Sequence, residues 1–210
     1  MKRLFSCLLL GLLAITGCVG PKTVTDNTFS FDAPAQKVMI APAQFSFVGM
    51  FDQVVEDGSV SWKERTFAFI KEEDGFTEKG LFFRTKNIST EFSAAPFANI
   101  TEYVSKGTTV VNGKKCPTAV FAIKPFNGYY IAEQLQAKGF ILPSPTLVKV
   151  VYVQNEKNLR SSVVYAEDVS QLEYTVKGWN DGSLTEKQKE FLQGFEERFA
   201  ALVELEEVSF

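Results

Sequence analysis

Three observations in the sequence predict an α+β fold: one domain built on a mainly antiparallel sheet, with two or three helices packed mainly on one of its faces. Between Lys37 and Phe97, short apolar and β-branched runs are separated by Asp57-Gly58 and Asp74-Gly75. Such pairs favour hairpins because Gly accepts positive φ. Near the C-terminus, Phe191, Phe195, Phe199 and Leu202 recur at helical spacing, as on an amphipathic helix facing a core. The chain also contains 20 Phe, and rings that bury about 150–250 Å² each fill the space between a twisted sheet and its helices.

Taken in order, VMI, FSFVGMF, SVSWKERTFAFIKEE and GLFFRTKNI read as the first strands. In TFAFI, Phe67 and Phe69 point one way while Ala68 and Ile70 point the other, which suits a strand apolar on both faces. Asn112-Gly113 joins a further pair of runs, TTVV and 118–123. After Asn127-Gly128, YYIAEQLQAKG predicts a short helix stopped at Gly139. The segments 146–154 and 160–169 are expected as strands around a turn at NEKN, with QLEYTVK (171–177) as a third. For the last helix, Ser183 supplies an N-cap oxygen and Glu186 completes a capping-box pattern, and the charged helix is expected to run on through Glu204, Glu206 and Glu207. The antiparallel sheet is expected to hold six to eight strands; a closed barrel or sandwich with an appended helix is the competing architecture.

The N-terminus carries an address. Lys2 and Arg3 precede an apolar stretch from Leu4 to Ile15, too short for the roughly 20 residues that span a bilayer but right for the h-region of an export signal. Ile15-Thr16-Gly17-Cys18 follows and resembles the lipobox of bacterial lipoproteins. That resemblance implies cleavage before Cys18 and a diacylglyceryl thioether on its sulfur, with further acylation. One acyl chain holds a protein marginally, whereas two or three make a durable anchor. Ordinary secretory cleavage near Gly17 would instead leave Cys18 an incidental thiol. Similarity to enterobacterial lipoproteins, where Asp after the Cys favours the inner membrane, makes Val19 a pointer to the outer membrane of a Gram-negative envelope.

The expected organisation is therefore a signal peptide over 1–17, a lipidated N-terminus and polar, Pro-punctuated tether over 18–35, and a globular domain over 36–210. Phe29 and Phe31 alternate, so a first strand could begin inside the tether. The order of strands followed by a capped C-terminal helix resembles small α+β lipoprotein domains of the PsbP and Mog1-like type, a resemblance of element order that carries no residue roles over.

Composition narrows the chemistry. The sequence has no His, which removes Ser-His-Asp, Cys-His and zincin catalysis. Loss of residues 1–17 leaves 20 basic against 25 acidic residues, a net charge of −5, which argues against a nucleic-acid partner. Of the 3 Cys, Cys7 leaves with the signal and Cys18 carries lipid, so Cys116 has no disulfide partner. Lys114 and Lys115 beside Cys116 could lower its pKa, but an inert buried thiol is the expectation, since no base or resolving Cys accompanies it. GTTVVNGKK (107–115) departs from a phosphate loop in spacing and lacks the Ser or Thr for magnesium, and reads as a hairpin. Glu72-Glu73-Asp74 and Glu204-Glu206-Glu207 lack calcium-loop spacing. Trp62, Tyr129, Tyr130 and Trp179 are the aromatics that could meet a glycan or a protein partner.

Together these features point to a non-enzymatic envelope lipoprotein with a binding or accessory role, no cofactor and no metal. Its expected partners are the membrane, through the lipid on Cys18, and an envelope protein or cell-wall glycan. Two alternatives remain: an envelope enzyme using carboxylate or Ser/Lys chemistry, and an apolar-ligand carrier, which requires an interior cavity of several hundred Å³.

Overall fold

The computed structural model describes residues 22–25, 28–33, 36–40, 44–57, 60–88, 97, 102–111, 114–124, 130–141, 145–155, 158–172, 175–180 and 183–207. The lipobox, the residues before it and Tyr129 lie outside them. In chain order the elements are strands β1 Lys22–Thr25, β2 Thr28–Ala33, β3 Gln36–Ile40, β4 Ser46–Asp57, β5 Val60–Glu73, β6 Phe76–Ile88, β7 Ser105–Val111 and β8 Lys114–Ile123; helix α1 Tyr130–Ala137; strands β9 Thr146–Asn155 and β10 Leu159–Asp168; helices α2 Val176–Asn180 and α3 Glu186–Leu202; and β11 Val203–Glu207.

Seven strands form one antiparallel sheet in the order β4-β5-β6-β10-β9-β8-β7. Two meanders, β4 to β6 and β7 to β10, are sewn together where β10 pairs with β6, from Leu159 opposite Asn87 to Glu167 opposite Lys79. The antiparallel α+β domain expected from the sequence is thus the one observed. Asp74 and Gly75 both adopt positive φ, 51° and 81°, the conformation of a tight two-residue hairpin turn. Glu73 faces Phe76 across it. The same two-residue spacing places Asp57 opposite Val60 and Val111 opposite Lys114, so GTTVVNGKK belongs to a hairpin.

Both faces of the sheet are apolar. On one, Phe67, Phe69, Leu81, Phe83, Val151, Val163 and Tyr165 pack under α3 and α2, whose Phe195, Phe199, Leu202 and Trp179 complete the core. On the other, Ala68, Ile70, Phe82, Val148, Val150 and Ala166 lie with Leu135 of α1 and with Phe97. Helices therefore cover both faces rather than mainly one. Helix α1 stops at Gly139, which takes φ 92° and donates to the Gln136 carbonyl, as the sequence suggested.

Four further expectations are corrected. The described residues of 171–177 form no strand: Ser170–Leu172 is a 3-10 turn, and α2 begins at Val176. There Trp179 is buried, and Asn180 exchanges two hydrogen bonds with the Ala122 backbone. The N-cap of α3 is Thr185 and not Ser183, with Gln188 closing the capping box. The helix does not continue through Glu204, Glu206 and Glu207, because β11 begins at Val203 and pairs with β3. Finally, β1 and β2 fall within the 18–35 stretch read as a tether, β2 where Phe29 and Phe31 alternate as a strand could, and with β3 and β11 they form a four-stranded sheet.

Candidate functional site

The α1 face holds an open-sided cavity of about 560 Å³. Strand register explains its floor. Cross-strand rows run Thr66, Arg84, Ser162, Tyr152 and then Ala68, Phe82, Val164, Val150. The first row is polar at its β5 and β6 end, and the second is wholly apolar. A third row, Ile70, Gly80, Ala166, Val148, Phe121, continues the apolar surface. Helix α1 is only 8 residues long, about 12 Å at 1.5 Å per residue, and cannot cover this face from end to end. Its Ile131 joins the cavity wall, and its Tyr130 hydroxyl donates to the Asp52 carbonyl at 2.9 Å, fastening it toward β4.

Two local features shape the floor. A Cβ at Gly80 would meet the Phe82 ring at 2.7 Å, so glycine lets that ring lie back along its own strand. Phe97 adopts a positive φ of 63°, uncommon for a bulky residue. Its carbonyl accepts from Lys106 Nζ at 3.0 Å, and its ring packs on Tyr152 at 5.0 Å.

The polar end holds the charges. Glu64 is buried and takes Lys86 Nζ at 3.0 Å. Arg84 stands farther off: Nη1 is 3.9 Å from Glu64, and Nε donates to Ser162 Oγ at 3.4 Å. Lys86 also lies over the Trp62 ring, 5.1 Å from its centroid. Burial first, and then the neighbouring Arg84 charge, push the Lys86 pKa below its ordinary value, against the opposing pull of Glu64. Two cations thus share one carboxylate beside an apolar hollow.

On the α3 face the buried charges are closed among themselves. Glu167, 3% exposed, accepts two 2.7 Å hydrogen bonds from Arg198 and one from the Tyr165 hydroxyl. Lys149 pairs with Glu196 and lies 4.6 Å from the Phe199 ring centroid. The Tyr165 pKa is raised, first by burial and then by the Glu167 charge, and the Arg198 pKa is raised chiefly by its hydrogen bond to Glu167. This network seats α3 on β9 and β10.

The residues singled out from sequence divide. Trp179 is fully buried against Phe191 and offers nothing to a partner. Trp62 and Tyr130 are partly buried, and both border the α1 face. Cys116 is 1% exposed, and burial pushes its pKa up despite Lys114, so the neighbouring ammonium groups do not make it a thiolate. Glu73 and Asp74 border a separate polar hollow with Glu78 and Asp168. There Glu78 pairs with Lys71 and Lys79, which hold its pKa low although burial, the largest influence, raises it. Among the described residues no set of three or more Cys, Asp or Glu is placed to hold a metal ion, and no helix is long and apolar enough to cross a membrane.

Sequence reasoning missed the cavity, whose walls come from β5, β6, β8, β9, β10, α1 and α2, with Glu102 and Lys124 adding one charge of each sign. The available signal was the alternation of Glu64, Thr66, Arg84 and Lys86 with Phe67 and Phe83 on the same strands. No protein-family model, no curated protein and no solved structure matches this chain.

Proposed function

We propose that this chain is a non-enzymatic envelope lipoprotein, held to the outer membrane through lipid on Cys18, whose domain binds an apolar small molecule in the cavity beside α1. The observation that carries the reading is the cavity itself. Its roughly 560 Å³ falls within the ~300–1,000 Å³ of small-molecule sites, and mostly apolar walls with a few convergent polar groups are the usual makeup of such sites. The anchor follows from the lipobox resemblance of residues 15–18 and would keep the domain near a supply of apolar molecules.

Two measurements test the two halves of the proposal. Cells fed labelled palmitate should yield labelled protein, and Cys18→Ala should abolish the label and leave uncleaved precursor; unlabelled wild-type protein would refute the anchor. An uncharged dye that fluoresces in apolar surroundings should bind the protein saturably at one equivalent. Val164→Trp, which projects an indole into the cavity, should remove that signal. Emission that rises linearly without saturation would refute the site.

A further inference from the structure

The apolar-ligand reading, on which this inference rests, leaves open which ligand. We propose that the guest is a single-chain carboxylic acid, with its carboxylate received by Arg84 and its hydrocarbon chain lying along Phe82, Val150 and Tyr152. Arg84 reaches the polar end of the cavity from β6, in the cross-strand row that contains Thr66 and Ser162. Its contacts there are long, 3.9 Å to Glu64 and 3.4 Å to Ser162. Glu64, by contrast, has Lys86 at 3.0 Å. The guanidinium therefore retains donor capacity at the edge of an apolar hollow, in a fork geometry that fits a carboxylate with two parallel bonds.

Charge selects the head group. Arg84, Lys124 and the adjoining Lys86, set against Glu64 and Glu102, sum to one positive charge, which one carboxylate neutralises. A phosphate monoester brings about −1.5 to −2 at pH 7 and would set surplus negative charge beside buried Glu64. A quaternary ammonium would meet two cations. An alcohol would leave the guanidinium without its counter-charge. The remaining rows of the floor offer only hydrocarbon, and the opposite charges of Glu102 and Lys124 in the walls cancel, so one charged head suffices.

The test titrates the full-length chain, kept in solution with a fluorinated surfactant that does not dissolve hydrocarbon, against decanoate, decanol, decyl phosphate and decyltrimethylammonium. Decanoate should bind saturably, one per chain, with decanol at least about ten-fold weaker, the scale of one charge-assisted hydrogen bond. From octanoate to dodecanoate each methylene should tighten binding about four-fold. Arg84→Gln should bring decanoate down to the level of decanol. Equal binding of decanoate and decanol by the wild type, or preference for decyl phosphate, would overturn the carboxylate assignment while leaving the apolar-ligand reading in place. Failure of all four probes to saturate would overturn both. The wild-type series decides the matter even if Arg84→Gln does not fold.

Discussion

The two faces of the seven-stranded sheet are covered by helices of unequal length, and their interiors differ accordingly. On one face lies α3, 17 residues long, whose Phe195 and Phe199 pack on Tyr165 at 5.1 and 6.0 Å. The buried charges beneath it, Glu167 and Lys149, are tied off by Arg198 and Glu196 of the helix. On the other lies α1, 8 residues long, and the sheet it leaves bare forms the cavity, where Arg84 has only distant partners. A helix long enough to span the sheet builds a core; one that is too short leaves a site. Stability should therefore reside on the α3 face and binding on the α1 face.

The largest expected effect tests the first half of that statement. Phe195 is fully buried and stacked on Tyr165. Phe195→Ala should lower unfolding free energy by about 3–5 kcal/mol, the range for large-to-small changes at packed aromatic sites. Urea denaturation followed by far-UV circular dichroism measures it. A loss below about 1 kcal/mol would mean that α3 is not the main cover of the core.

The comparison is sharpest at two adjacent residues. Val163 is 0% exposed under α3, whereas Val164 points into the cavity. Val163→Phe should cost about 1–3 kcal/mol through overpacking. Val164→Phe meets open space and should change stability by less than about 0.5 kcal/mol, while reducing dye binding. Equal penalties for the two would show that the α1 face is as tightly packed as its opposite.

How much of this was legible in the sequence depends on how local the signal was. The β5–β6 hairpin was legible because Asp74-Gly75 fixes its turn. The α3 stripe was legible because its period is written in a single segment. The true cap of α3 was not. Ser183 with Glu186 and Thr185 with Gln188 are equally good boxes by spacing; what separates them is tertiary, since Gln188 Nε2 also donates to the Gly178 carbonyl of α2 at 3.1 Å. In the same way, Leu172, Tyr174 and Val176 alternate like a strand, yet burial of Trp179 decides for a helix. For β11 the partner, β3, lies more than 160 residues earlier in the chain, so Val203–Glu207 read as more of the helix it follows. The cavity is the extreme case, because Arg84, Ser162 and Tyr152 become neighbours only through the register of three strands.

A smaller effect concerns how the short helix is held. Tyr130→Phe removes the hydrogen bond from α1 to the Asp52 carbonyl and should cost about 0.5–1.5 kcal/mol. Because α1 walls the cavity, the same variant should bind the dye less tightly. Thr185→Ala at the cap of α3 should cost about 1 kcal/mol and leave dye binding unchanged. Two helix anchors of similar strength would then differ in the one readout that distinguishes the faces.

The smallest effect is electrostatic and lies at the sheet edge, where Asp52 serves both sides. Its carbonyl holds Tyr130, and its carboxylate accepts two 2.7 Å hydrogen bonds from Arg65. Those hydrogen bonds, above all, hold the Asp52 pKa below its ordinary value, against a weaker opposing effect of burial. A carboxylate whose pKa is depressed by folding contributes stability that is fully present above its unfolded value, about 3.9, and is lost as pH falls through the folded one. The Asp52 side chain is 53% exposed, so solvent screening keeps the contribution under about 1 kcal/mol. Asp52→Asn should therefore flatten the stability profile slightly below about pH 4. It should do so without loosening α1, because the backbone carbonyl that receives Tyr130 is unchanged. Urea midpoints at pH 3 and pH 7 for both proteins check this. If Asp52→Asn also weakened dye binding, the α1 anchor would depend on the Arg65 pair, and the two faces would be coupled through their shared edge.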